Sequence, residues 1–264
     1  MFYDKIAIQF GGKSMIENIE GTTINIRIQD EEIALPNEIK RKIEEFWNKC
    51  KTENPNLWNG ELMCVGEYKK EGKEIEIVCK KTNYAHYLYD ERIGLSKEYA
   101  CSSLVAGCLI ETSDNYYIVG ELADNTSFPH CMQISGGSAD NNDIKDGKID
   151  IFNTIIRECK EELNINLQDK KMVENFHINY ICLPKEKVHT YILYAKAQLN
   201  MNKLQMQEYY EKYLEYLKEK ELLIENFHEE VAKDIINSNI EPQELLLNVM
   251  FKTLYSKKIY EIIT

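Results

Sequence analysis

Basic residues are in short supply in this chain. Its 32 Lys and Arg stand against 44 Asp and Glu, for a net charge of −12. That balance argues against broad nucleic-acid binding through a basic surface. It does not argue against a small phosphate ligand, because a bound divalent cation reverses the local field. Long apolar runs are missing too. The longest clear one, residues 104–110, is far too short to span a membrane. Asp4 and Lys5 interrupt the first ten residues, and no apolar signal core follows them. Eight cysteines occur, but none forms a Cys-x-x-Cys pair, so a zinc ribbon or a thioredoxin-like motif has no support. Several sit in apolar runs, where buried thiols are expected. These features predict a cytoplasmic protein with no membrane and no nucleic-acid partner.

Other phosphate-handling and hydrolytic signatures are also missing. There is no Gly-x-x-x-x-Gly-Lys-Ser/Thr loop, no Gly-x-Gly-x-x-Gly fingerprint and no Gly-x-Ser-x-Gly elbow. The five histidines are scattered with no His-x-x-x-His pair, and His189, at the start of a strand, reads as structural. No internal repeat or low-complexity linker divides the chain. A length of 264 residues suits one large domain or two small ones, and 44% hydrophobic content is ordinary for a globular core.

Periodicity supplies an α/β organisation. Strands are expected at Ile6-Ala7-Ile8 and over 23–28, followed by a helix from Asn37 to about Thr52 that stops at Asn54-Pro55. The stretch 54–60 reads as a turn with Leu57 and Trp58 as apolar anchors. Strands at about 61–68 and 73–80 are joined around Gly72, completing an N-terminal module over residues 1–100. A second domain over 101–264 begins with a hairpin, 104–110 and 116–122, across Thr112-Ser113-Asp114-Asn115. A short strand, Met132-Gln133-Ile134, runs into a Gly136-Gly137 turn and an Asn/Asp-rich loop over 139–150. Strands at about 177–183 and 189–198 precede a helix from Met201 to about Lys220. Its tyrosine stripe is expected to pack on its own domain. A buried closing helix is expected over 242–254.

The densest chemistry lies at Arg157-Glu158-Cys159-Lys160-Glu161-Glu162. Glu158, Glu161 and Glu162 are related as i, i+3 and i+4 and share a helical face. Phe152, Ile155, Ile156, Cys159 and Leu163 form a separate apolar stripe, so the helix can anchor in a core and still present carboxylates. Glutamates at such spacing are common on solvated faces. A Gly-Gly segment upstream of Arg-Glu-apolar-x-Glu-Glu is much rarer, and clustered oxygen ligands suit Mg²⁺ or Mn²⁺.

The segment resembles the Nudix box, Gly-x5-Glu-x7-Arg-Glu-U-x-Glu-Glu-x-Gly-U, with U a bulky apolar residue. Gly137 matches the first glycine, and Arg157, Glu158, Glu161, Glu162 and Ile165 match the second half. Cys159 and Asn164 depart at the apolar and glycine positions, and Asn tolerates the left-handed conformation that ends helices. Gly137 lies 20 residues before Arg157 instead of 14, so the loop holds about six extra residues. Eight before Arg157, where the family has Glu, stands Ile149. Asp150 or Asp146 is expected to partner Arg157 in its place, although Asp150 equally suits the helix N-cap.

The resemblance implies a Nudix-type α/β/α sandwich with a mixed sheet, preceded by a smaller α+β module. It implies hydrolysis of a nucleoside diphosphate linked to another moiety. Mg²⁺ or Mn²⁺ would be held by Glu158, Glu161, Glu162 and the Gly137 carbonyl, with Glu161, Glu162 and Arg157 as the catalytic set. The general base is left open among the box glutamates and Glu221, Glu225, Glu229 and Glu230. A second similarity runs through the Trp47 helix, Asn59-Gly60 and Tyr84-x-x-Tyr87, and is to the leader module of UDP-sugar diphosphatases. It makes Tyr84 and Tyr87 candidate substrate contacts and a UDP-sugar, cleaved to UMP and a sugar 1-phosphate, the first substrate guess. ADP-ribose, a dinucleotide or coenzyme A are alternatives. So is a non-catalytic Nudix-like nucleotide sensor.

Overall fold

Strand β5 (Ser103–Glu111) carries a nearly uninterrupted apolar sequence, as a strand buried on both faces must. The computed structural model describes residues 16–29, 32–122, 126–184, 189–220, 234–237, 241–243 and 246. In it, β5 is the hub. Along one edge it runs parallel to β12 (Thr190–Leu199), from Ser103 opposite Thr190 to Glu111 opposite Gln198. Three antiparallel strands share its other edge in turn. β3 (Glu61–Glu71) pairs at Ser103, β8 (Ser135–Ser138) at 105–108, and β6 (Tyr116–Glu121) at 110–111.

Among the described residues the resulting mixed sheet has 13 strands and defines an α/β protein. Beyond β12 lie β11 (Val173–Cys182) and β1 (Ile16–Asn18). Beyond β3 lie β4 (Glu74–Asn83) and β2 (Thr23–Gln29), then β10 (Lys148–Ile149) and β9 (Ile144–Lys145). β7 (Met132–Gln133) and β13 (Asp234–Asn237) both pair with β6. One sheet therefore runs through the expected boundary at residue 100. β4 shows how the sequence sets the register: Ile75, Ile77 and Cys79 alternate inward and are fully buried, with the exposed Glu76 and half-buried Val78 between them. All eight cysteines are buried thiols.

Helix α1 (Asn37–Glu53) ends at Asn54 as the Asn-Pro pair predicts. Helix α2 (Tyr84–Ile93) was not anticipated; Tyr84 and Tyr87 lie on it and not in an irregular stretch. Its apolar residues lack a clear one-sided period, and its start is made by a local N-cap together with a side chain remote in sequence. Asn83 Oδ1 accepts from His86 N at 3.1 Å, and Asn59 Oδ1 accepts from Ala85 N at 2.7 Å. Helix α3 (Ile151–Leu163) carries the acidic motif, and α4 (Lys203–Glu219) packs on its C-terminal end. The Tyr209 and Tyr213 hydroxyls donate to the carbonyls of Asn164 and Glu161. The tyrosine stripe thus packs on its own domain.

Three local expectations are corrected. Gly136 and Gly137 form no turn but lie within β8, because Gly136 must pass close to β5: a Cβ there would fall 2.5 Å from Gly107 Cα. Trp58 anchors nothing and is 80% exposed. Phe152 is also largely exposed, with its ring edge against Phe176, because the inner helical row is Ile151, Ile155, Cys159 and Leu163. Strand 6–8 and Glu221, Glu225, Glu229 and Glu230 lie outside the described residues. So does 242–254 apart from 242, 243 and 246, where Leu246 is buried. Among the described residues no helix is long and apolar enough to cross a membrane.

The β5–β8 approach predicts that Gly136→Ala lowers stability by about 1–3 kcal/mol, since backbone faces backbone and neither can yield as a side chain would. Urea denaturation checks this, and a variant as stable as the parent would show that the strands can part freely.

Candidate functional site

The start and end of α3 are fixed locally. Asp150 Oδ1 accepts from Asn153 N at 3.2 Å as its N-cap, and Asn164, at φ 57°, supplies the left-handed C-cap. Asp150 is therefore spent on the cap and does not partner Arg157. Asp146 is not among the contacts of Arg157 either. It occupies a left-handed turn position, φ 52°, beside Gly147 at φ 73°.

The partner is Asp143. Arg157 Nη2 donates to its Oδ2 at 3.1 Å, and Asp143 is almost completely buried. Asp143 stands six residues after Gly137, where the box glutamate belongs when counted forward from the glycine. Counting back from Arg157 reaches Ile149 because the six extra residues, 144–149, lie between the two. They form the β9–β10 hairpin, with Ile144 opposite Ile149, and Lys148 of β10 pairs with Arg27 of β2. The expected featureless loop is thus a 3₁₀ turn at 141–143 followed by a hairpin docked on the N-terminal module. The signal that could have found it is Asp146-Gly147 between short apolar-containing strands.

Arg157 collects several acceptors. Nη1 donates to Glu158 Oε1 at 2.7 Å and to Glu161 Oε2 at 3.5 Å, and Nη2 also donates to the Ser138 carbonyl at 3.4 Å. Asp140 Oδ2 lies 3.8 Å away. Burial lowers its proton affinity, but the bond to Asp143 and the charges of Glu158, Asp143 and Asp140 outweigh it, and the guanidinium is held above its ordinary pKa. One cation does not neutralise so many carboxylates. Glu158 shows the shortfall. Burial raises its pKa most, Arg157 pulls it back, Glu161 pushes it up again, and it settles at about 7 from an ordinary 4.5.

The glycines lie against this cluster. A Cβ on Gly137 would come within 2.7 Å of Glu158 Oε2, and Gly136 N donates to Glu162 Oε2 at 3.1 Å. Glu161 points outward, its side chain 57% exposed. The structure thus brings together Gly137, Arg157, Glu158, Glu161 and Glu162 as expected. Among the described residues no three His, Cys, Asp or Glu converge tightly enough to form a ready cation site. The donor set nevertheless suits a hard cation: it is all oxygen, anionic and under-compensated, and only glycine leaves room for the Glu158 carboxylate at β8.

The other face of β8 borders a cavity of about 370 Å³. Gly136, Gly137 and Ser138 line it together with Tyr84 and Tyr87. The two tyrosine rings are 5.8 Å apart, and Trp47 packs edge-on behind Tyr84 at 6.2 Å. The candidate substrate contacts and the candidate metal ligands therefore meet at opposite faces of one strand. Sequence reasoning missed Ser103 and Thr190, which also line this cavity.

No family model and no curated protein sequence matches the chain. Among solved structures it is similar to DR0079 from Deinococcus radiodurans at 15% identity. The match covers 54% of this chain and 76% of that one, with a TM-score of 0.33.

Glu158 makes metal-free stability depend on pH. Its proton is held more tightly folded than unfolded, so its contribution is full below pH 4.5 and is lost as pH rises through about 7. At ~1.4 kcal/mol per pKa unit, the loss is on the order of 3 kcal/mol. Glu158→Gln, which stays neutral, is expected to flatten this slope in urea denaturation in the presence of EDTA. An unchanged slope would show that Glu158 ionises normally. Asp143→Ala is expected to cost about 3 kcal/mol in the same assay, because it strips Arg157 of its most buried counter-charge.

Proposed function

We propose that the protein is a Nudix-type hydrolase, a divalent-metal-dependent diphosphatase. Residues 101–264 would form its α/β/α sandwich domain and 1–100 an accessory module. The observation that carries this reading is the Asp143–Arg157–Glu158 arrangement pressed against Gly137. It supplies the acid–arginine pair that the linear count misses, with Asp in place of Glu, and leaves Cys159 and Asn164 as the remaining departures.

Glu158, Glu161, Glu162 and the Gly137 carbonyl would hold Mg²⁺ or Mn²⁺. The bound ion would supply charge neutralisation on the phosphates and a more acidic water. The chain's own residues do the rest. Arg157 fixes Glu158 through a 2.7 Å bond and is itself fixed by Asp143, so the carboxylate does not have to be ordered at the moment of reaction. Glu161, exposed and close to the others, is free to reach solvent. Glycine in β8 lets substrate approach the strand from the cavity side while Glu158 packs on the other.

The first substrate choice is a UDP-sugar, cleaved to UMP and a sugar 1-phosphate. Support comes from the Tyr84 and Tyr87 rings at the cavity wall. A panel of UDP-glucose, UDP-galactose, ADP-ribose, dinucleotides and coenzyme A, each with Mg²⁺ and Mn²⁺, tests the reading. No turnover of any of them would leave a nucleotide sensor in its place.

Glu161→Gln and Glu162→Gln are each expected to lower kcat by orders of magnitude with little change in stability, since neither lies in the inner row of α3. Near-normal turnover in both would rule out the site. Tyr84→Ala or Tyr87→Ala should raise KM or erase the preference between uridine and adenosine substrates. A fall in kcat alone would place the residue at the transition state instead.

A further inference from the structure

The cavity beside β8 differs in character from the acidic helix behind it. Tyr84, Tyr87, Phe128 and Tyr194 give it flat aromatic surface, with Leu62 and Ile134 between them. Among the described residues, none of the side chains lining it carries a charge. A phosphate, carboxylate or ammonium placed there would lose its hydration and gain no counter-charge. The group it accommodates is therefore neutral, and aromatic walls favour a planar one. At about 370 Å³ the space is near the lower end of ligand pockets, which run roughly 300–1,000 Å³. It suits one small ring with its sugar better than two nucleotides.

Several uncharged polar side chains interrupt the apolar lining: Thr126, Ser127, Gln133 and Ser138 at its β7–β8 side, where Gln133 Nε2 already donates to the Gly136 carbonyl at 3.1 Å, and a linked set of hydroxyls opposite. Ser103 Oγ donates to Thr190 Oγ1 at 3.1 Å, and Thr190 Oγ1 is hydrogen-bonded to the Tyr87 hydroxyl at 3.4 Å. The chain is set by the fold: Ser103 of β5 and Thr190 of β12 are register partners, and α2 brings Tyr87 over them. Three hydroxyls carry three protons and share two hydrogen bonds. If Tyr87 donates to Thr190, the threonine proton is left uncommitted within the chain; if Thr190 donates, the tyrosine proton is. Either way the chain offers one O–H to whatever enters the cavity, and a carbonyl is the fitting acceptor.

We propose that the Ser103–Thr190–Tyr87 hydroxyl chain reads the carbonyl edge of a pyrimidine nucleoside seated among the cavity's aromatic rings. This deepens the diphosphatase reading, on which it rests for the position of the phosphates, toward β8 and the carboxylates. Ser103 and Thr190 thereby become specificity-determining residues for the uridine half of the substrate already proposed.

The test uses the full chain in EDTA, so that binding is separated from turnover. Affinities for uridine, adenosine and pyrimidin-2-one riboside, which lacks uridine's 4-carbonyl and with it the N3 proton, are measured by NMR titration, and the Thr190 variants separate loss of the carbonyl contact from loss of the N3–H. Uridine is expected to bind, with adenosine and the 4-deoxo analogue each about tenfold weaker. Thr190→Val should weaken uridine about tenfold and abolish its advantage over the analogue, and Thr190→Ser should restore both. Equal binding of uridine and the analogue by the unmodified protein would overturn the proposal, as would equal binding of adenosine or no binding at millimolar uridine. These ligand comparisons need no variant, so a poorly folding Thr190→Val does not remove the test. Carbonyl-selective uridine binding without turnover in the metal panel would sink the diphosphatase reading alone. Turnover of a UDP-sugar without that selectivity would sink this one alone.

Discussion

The guanidinium of Arg157 is the point on which the site depends. It is the positive centre of a group that otherwise consists of Asp140, Asp143, Glu158 and Glu161, and it also bonds the Ser138 carbonyl. Through these bonds one side chain joins β8, the 3₁₀ turn and α3. The arrangement is under tension of a specific kind. Carboxylates held this close in partly desolvated surroundings repel one another, and burial at Glu158 makes its charge more costly still. A group in this state favours an added positive charge electrostatically.

The second constraint is steric. β8 lies between β5 on its edge and α3 against it, and at both contacts the missing Cβ of glycine makes room, for Gly107 on one side and for the Glu158 carboxylate on the other. The strand also forms one wall of the neutral aromatic cavity. A single thin segment of backbone thus separates an anionic compartment from an uncharged one.

The β9–β10 hairpin connects the Asp143 turn to the N-terminal strands. It hands the end of the Asp143 turn to β2, and Asn141 next to it bonds Glu61 of β3. The N-terminal strands therefore brace the turn that supplies the counter-ion of Arg157. The same N-terminal segment carries Tyr84 and Tyr87 of α2, which line the cavity beside β8.

The sequence by itself determined the elements whose signals are local. The alternation in β4, the Asn54-Pro55 stop of α1, the turn before β6 and the left-handed Asn164 were all legible, because each depends on residues within a few positions of one another. So was the co-location of Arg157, Glu158, Glu161 and Glu162, which a helical period guarantees. Tertiary structure alone decided the partner of Arg157. Ile149 holds the expected position in the count, but a hairpin removes six residues from the path and puts Asp143 there. It also decided that Gly136 and Gly137 belong to a strand, since the need for glycine arises from backbone of β5 some thirty residues earlier. The pairing of Ser103 with Thr190 follows the same logic: parallel register between β5 and β12 is set by the packed sheet, and no local pattern encodes it.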